Sequence, residues 1–148
     1  DQNSGGELQD GMDIALCLID KENKRISFSG ARNGIIIISG GKTSKIDADL
    51  FSVGGSFSQK SKEMKRDFKN NQLSFNKGDW VFMYSDGYFD QLSGRNMTSL
   101  GMDKFKTILE ESISNEMDKK EFLLQEFNAW KGDFPQIDDL LVMGFKME

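Results

Sequence analysis

The hydrophobic pattern of this chain changes period once, near Gly94, and that change limits the folds open to it. Before Gly94 the apolar residues come in short runs: Asp13–Asp20, Ile26-Ser27-Phe28-Ser29, Ile35–Ile38, Gln72–Phe75 and Trp80–Tyr84. Short runs that alternate or are β-branched, and that stop at Gly, Asn or Asp, are strand signals. The first three, joined by Lys21–Lys24 and Gly30–Gly34, predict an antiparallel meander in which the nearly continuous Asp13–Asp20 is buried. Asn76-Lys77-Gly78-Asp79 predicts a hairpin between Gln72–Phe75 and Trp80–Tyr84. Beyond Gly94, Met102, Phe105, Ile108, Leu109, Ser112 and Ile113 fall on one helical face. A second helix is predicted from Asp118, paired with Glu121 as in a capping box, with Phe122, Leu123, Phe127 and Trp130 inward. Gly132–Pro135 ends it, and Leu140–Phe145 returns as a last strand. Strands, two helices and a returning strand predict an α+β layered domain.

Two stretches are weakly patterned. Residues 1–12 are polar and glycine-rich and are expected to be a flexible lead-in. Between residues 42 and 70, Phe51-Ser52-Val53 and Phe57 suggest a short strand around Gly54-Gly55. The basic run Lys60–Lys69 has two readings, a solvated face or a docking surface for an acidic or phosphorylated protein.

A chain of 148 residues can bury a real core, and 37% hydrophobic with 29% charged residues describes a single soluble globular domain. No apolar run approaches the ~20 residues that span a bilayer, and no basic-then-apolar leader is seen. A cytoplasmic location without membrane contact is therefore expected. The lone Cys17 cannot form an internal disulfide and is expected to be a small buried hydrophobe. A net charge of −5 argues against general nucleic-acid binding.

The sharpest exclusion is that the chain has no histidine. Ser-His-Asp and Cys-His catalysis are out of its reach, as are ordinary His/Cys zinc sites. What is left is chemistry of carboxylates, carbonyls, hydroxyls and water. Those groups are concentrated in Tyr84-Ser85-Asp86-Gly87-Tyr88 and Gln136-Ile137-Asp138-Asp139-Leu140. One aspartate follows a predicted strand and the other precedes one. If those strands are antiparallel neighbours, Asp86 and Asp138 meet at one sheet edge, a place for a hard cation. Ordinary Asp-Gly turn chemistry is the competing explanation.

The order of the motifs adds a resemblance. Asp10-Gly11-Met12-Asp13-Ile14-Ala15-Leu16, Gly30-Ala31-Arg32-Asn33, Gly78-Asp79, Tyr84-Ser85-Asp86-Gly87, Asp90-Gln91, Trp130-Lys131-Gly132 and Gln136-Ile137-Asp138-Asp139 follow one another as in a known family. The sequence resembles the C-terminal part of a SpoIIE-type serine/threonine phosphatase domain, the bacterial branch of the metal-dependent protein phosphatase 2C superfamily. The resemblance implies two layered antiparallel sheets flanked by helices, with a binuclear Mn²⁺ or Mg²⁺ site at one end. It implies hydrolysis of phosphoserine or phosphothreonine on a protein, such as an anti-sigma-factor antagonist, by metal-activated water. Fused sensor or regulatory domains would accompany it.

By motif, Asp86 and Asp138 correspond to metal ligands. Gly87 and Asp139 are supporting residues, with Asp139 placed to orient water or a ligand. Asp13 is expected to be a structural hydrogen-bond acceptor. The family's earlier ligands, including an aspartate that bridges both metals, have no counterpart in residues 1–148. The whole chain is thus expected to be the C-terminal portion of one domain, truncated at the N-terminus, incomplete at the metal site and inefficient as an enzyme alone. Gly34 stands where the family often has Pro, and Leu140-Leu141 where an Ile/Met-Thr pair is common; neither is a ligand. The alternative is a degenerate, non-catalytic phosphatase fold used for protein binding or regulation.

Overall fold

The computed structural model describes residues 11–54 and 67–148. Residues 1–10 of the expected lead-in, Phe57, and the part of the basic run Lys60–Lys69 from Lys60 to Arg66 lie outside the described residues. The chain divides into two compact units, Asp1–Gly34 with Asp47–Ser74, and Ile35–Ile46 with Phe75–Glu148. It has the mixed α+β architecture expected, with antiparallel sheets and two helices. Among the described residues no helix is long and apolar enough to cross a membrane.

In the first unit, β2 (Ile14–Asp20), β3 (Arg25–Ala31) and β7 (Asn71–Ser74) form one sheet in that order. β3 is central and its Ile26 and Phe28 are fully buried. β2 is an edge strand with only one packed face, so Leu16 and Leu18 are 63% and 69% exposed, which corrects the expectation of a buried strand. Cys17, on the opposite face, is half-buried, and desolvation raises its thiol pKa. Gly11–Met12, assigned to the lead-in from sequence, form β1 and pair with β6 (Val53–Gly54). Asp13 is an acceptor as expected. Ser52 Oγ donates to one of its oxygens, and Arg32 Nε lies 3.2 Å from the other.

The second unit holds the larger sheet, ordered β5 (Lys42–Ile46), β4 (Ile35–Ser39), β8 (Trp80–Tyr84) and β9 (Val142–Lys146). The expected meander holds for its first two strands, β2 and β3, but not for the third, and the expected hairpin between β7 and β8 is not formed. β4 leaves β3 to pair with β5 and β8, and β7 joins β3 rather than β8. The reason lies in Ile35–Ile38, all four buried, because a strand apolar on both sides belongs in the middle of a sheet. The β4–β5 hairpin, which the sequence reading did not assign, turns on Gly40 and Gly41, both at positive φ.

Helices α1 (Met102–Ser114) and α2 (Lys119–Lys131) cover one face of this sheet. Ile36 and Ile38 of β4 and Phe82 and Tyr84 of β8 meet Phe105, Ile108 and Leu109 of α1 and Phe122 and Phe127 of α2. These are the inward positions predicted by the 3.6-residue period. Asp118 caps α2 by accepting from Lys120 N and Glu121 N at 3.0 and 3.2 Å. Gly132, at φ +55°, ends that helix.

Tyr88 enters the same core from the turn after β8. Its ring centroid lies 4.8 Å from that of Phe105 and 5.2 Å from that of Phe127, and its hydroxyl donates to Leu123 O at 2.7 Å. Burial, with a smaller contribution from the charge of Glu126, raises its phenol pKa well above the ordinary value. The unfolded chain loses that proton near pH ~10 while the folded chain keeps it. Stability from this group is therefore complete below pH ~10 and is lost as pH rises further. Tyr88→Phe should lower unfolding free energy by about 1–2 kcal/mol at neutral pH and flatten this alkaline loss, as read by urea denaturation. Phe105→Ala, at a wholly buried position, should cost about 3–5 kcal/mol in the same assay.

Candidate metal centre

β8 and β9 are antiparallel neighbours, with Trp80 opposite Lys146 and Tyr84 opposite Val142. Residues just after Tyr84 and just before Val142 thus share one end of the sheet, the geometry on which the meeting of Asp86 and Asp138 depended. The ladder continues past the formal strands. Ser85 N donates to Leu141 O at 3.0 Å, and Leu141 N donates to Ser85 Oγ at 3.0 Å. Ser85 Oγ in turn donates to Asp139 O at 2.8 Å. One hydroxyl thereby stitches the two carboxylate motifs together.

Asp86 opens a 3₁₀ turn over Asp86–Tyr88 and has an exposed side chain. Its carbonyl accepts from Phe89 N and from Asp90 N, the latter at 3.0 Å. Gly87 is buried against the other motif. A Cβ there would overlap the Asp139 carbonyl oxygen and lie 3.0 Å from its carbon. The supporting role expected of Gly87 is thus a close backbone approach. Asp138 is exposed, and its Oδ1 accepts from Asp139 N at 2.8 Å. Gln136 Nε2 donates to Asp138 O at 2.8 Å. Asp139 acts here through its carbonyl, while its side chain is exposed.

A third carboxylate joins them. Partial desolvation, then the negative charges of Asp86 and Asp138, raise the pKa of Asp90. Asp90 thus feels the charge of both motifs. The motifs of the sequence contain Asp90, Ser85 and Gln91 but assign them no role. The local signal for Asp90 is its position one turn after Asp86, whereas Ser85 and Gln91 act on backbone partners more than 40 residues away.

The donor set consists of oxygens, which suits Mg²⁺ or Mn²⁺. Among the described residues no group of three or more His, Cys, Asp or Glu converges tightly enough to cage an ion. Two carboxylates on an exposed edge fit a cation that keeps several of its waters, the usual manner of Mg²⁺.

The fold is that of protein phosphatase 2C-type phosphatase domains. The chain is similar to the SiaA-PP2C domain of Pseudomonas aeruginosa, with a TM-score of 0.80 at 19% identity over 92% of this chain and 52% of that one. It is also similar to the phosphatase domain of the cell fate determinant SpoIIE from Bacillus subtilis, Mn presoaked, with a TM-score of 0.62 at 14% identity over 92% and 56%. RsbX in complex with magnesium gives a TM-score of 0.62 at 12% identity over 93% and 57%. The chain spans a little over half the length of these structures. No family model and no curated protein matches the sequence.

Gly87→Ala should destabilise the protein by about 1–3 kcal/mol in urea denaturation, because the new methyl group meets backbone that cannot rotate away. Gly41→Ala meets no atom within 4 Å but holds φ +74°, so its cost is backbone strain alone, about 1 kcal/mol.

Proposed function

We propose that the domain to which these residues belong hydrolyses phosphoserine or phosphothreonine on a protein, with Mn²⁺ or Mg²⁺ held in part by Asp86 and Asp138. The observation that carries this reading is the antiparallel pairing of β8 and β9, which brings the two aspartates to one end of the sheet. The fold of PP2C-type phosphatases supports the reaction class. The lack of histidine fits chemistry that needs no side-chain nucleophile or imidazole base.

When bound, the cation supplies a water activated at neutral pH and positive charge for the phosphoryl oxygens. This chain's residues do the holding. Asp86 and Asp138 would present one carboxylate each, with Asp138 Oδ1 already oriented by the Asp139 amide. Gly87 permits the close approach of the two motifs, and Ser85 fixes their register. Asp139, with its exposed carboxylate, would orient water or substrate beside them. The charge pressure on Asp90 fits a corner that gains from a nearby cation. The remaining ligands of a binuclear site would come from outside these residues, as would sensor or regulatory domains. An anti-sigma-factor antagonist is one substrate of the proposed kind.

A second reading is favoured by one observation: among the described residues no three such ligands form a cage. On that reading the fold binds or regulates a protein without catalysis. Hydrolysis of p-nitrophenyl phosphate by the full-length protein separates the two. Phosphatase activity should require Mn²⁺ or Mg²⁺ and fall by at least about a hundredfold in Asp86→Asn, in line with loss of metal charge stabilisation. Activity retained in Asp86→Asn would remove this residue from the mechanism, and no activity under any metal would favour the binding module.

A further inference from the structure

We infer that Gln91 is a positioning residue that sets where Asp138 stands with respect to Asp86. The inference deepens the metal reading above and rests on it. Gln91 follows the Asp86–Asp90 turn directly and is 0% exposed, so its amide must find protein partners. Its Nε2 donates to Pro135 O at 3.0 Å and to Leu92 O at 3.1 Å, and its Oε1 accepts from Ile137 N at 3.4 Å. Its own carbonyl accepts from Trp130 Nε1 at 2.9 Å and from Leu100 N at 3.1 Å. A core polar side chain thus grips the backbone of residues 135 and 137.

What it grips has little apolar burial of its own. Pro135 has no amide hydrogen to give, and Ile137 is half exposed, so apolar burial does little to fix this stretch. Lys131 Nζ reaches Phe134 O at 3.2 Å, one residue short of the segment. Asp138 comes immediately after Ile137, and Asp86 lies five residues before Gln91. Both carboxylates therefore lie a few residues from backbone tied to this one buried side chain. Residues that orient metal ligands from behind commonly alter metal affinity by 10–100-fold when changed.

Gln91→Met keeps the length and much of the volume but removes the grip. In the full-length protein, calorimetric titration with Mn²⁺ should show binding weakened roughly tenfold or more. Amide hydrogen exchange at Ile137 should quicken while that of β8 stays slow. A role confined to packing would lower the melting temperature in EDTA but leave the Mn²⁺ affinity of the folded protein unchanged. Should Gln91→Met fail to fold, Gln91→Glu is read in the same way. It keeps the acceptor for Ile137 N but has at most one proton for the Pro135 and Leu92 carbonyls, and should also weaken Mn²⁺. Parent protein that binds Mn²⁺ with variants binding equally well overturns this inference alone. A parent that takes up no Mn²⁺ overturns the metal reading and this inference with it.

Discussion

The candidate site depends on the burial of Tyr88. A turn that opens on an exposed aspartate has no reason of its own to hold still. Tyr88 gives it one by placing a ring between Phe105 of α1 and Phe127 of α2 and a hydroxyl on Leu123 O. Aromatic contacts and a buried hydrogen bond tie the turn after β8 to both helices. The opposite motif is then drawn in by Ser85, which bonds Asp139 O and Leu141 N, and by the bare backbone of Gly87. Side-chain precision at the sheet edge is thus inherited from the hydrophobic core beneath it.

This arrangement gathers negative charge at one end of the larger sheet. Asp86 and Asp138 are exposed, which lets water screen them, yet after partial desolvation they are the next causes that raise the pKa of Asp90. An apo corner of this kind carries electrostatic repulsion that a divalent cation would relieve. Two outward carboxylates are too few to strip a magnesium ion of its waters. The same geometry that suggests a metal therefore also suggests one held with retained water and with ligands from elsewhere. The PP2C-type neighbours extend well beyond the region this chain matches.

Much of this was legible in the sequence because local signals and tertiary context agreed. The helical period placed Phe105, Ile108 and Leu109 inward, and Asp118 marked the start of α2. The strands β8 and β9 were visible as apolar runs, and their pairing followed once they were taken as neighbours. Strand pairing failed where the sequence offered only adjacency. Ile35–Ile38 follows β3 after a short turn, yet four consecutive buried isoleucines fit only a strand covered on both faces, and so it pairs with β5 and β8. Lys42–Ile46 is too polar to announce itself as a strand, and β2 hides its edge position behind an apolar composition. Gln91 and Ser85 were missed because their roles are fixed by carbonyls distant in sequence, which no local pattern encodes.

The proposed cation at the shared end of β8 and β9 can be sought in an anomalous difference map from crystals of the full-length protein soaked in Mn²⁺. A peak is expected about 2.1 Å from carboxylate oxygens of both Asp86 and Asp138, with water completing its coordination. Ordered Mn²⁺ bound elsewhere, with neither aspartate among its ligands, would contradict it.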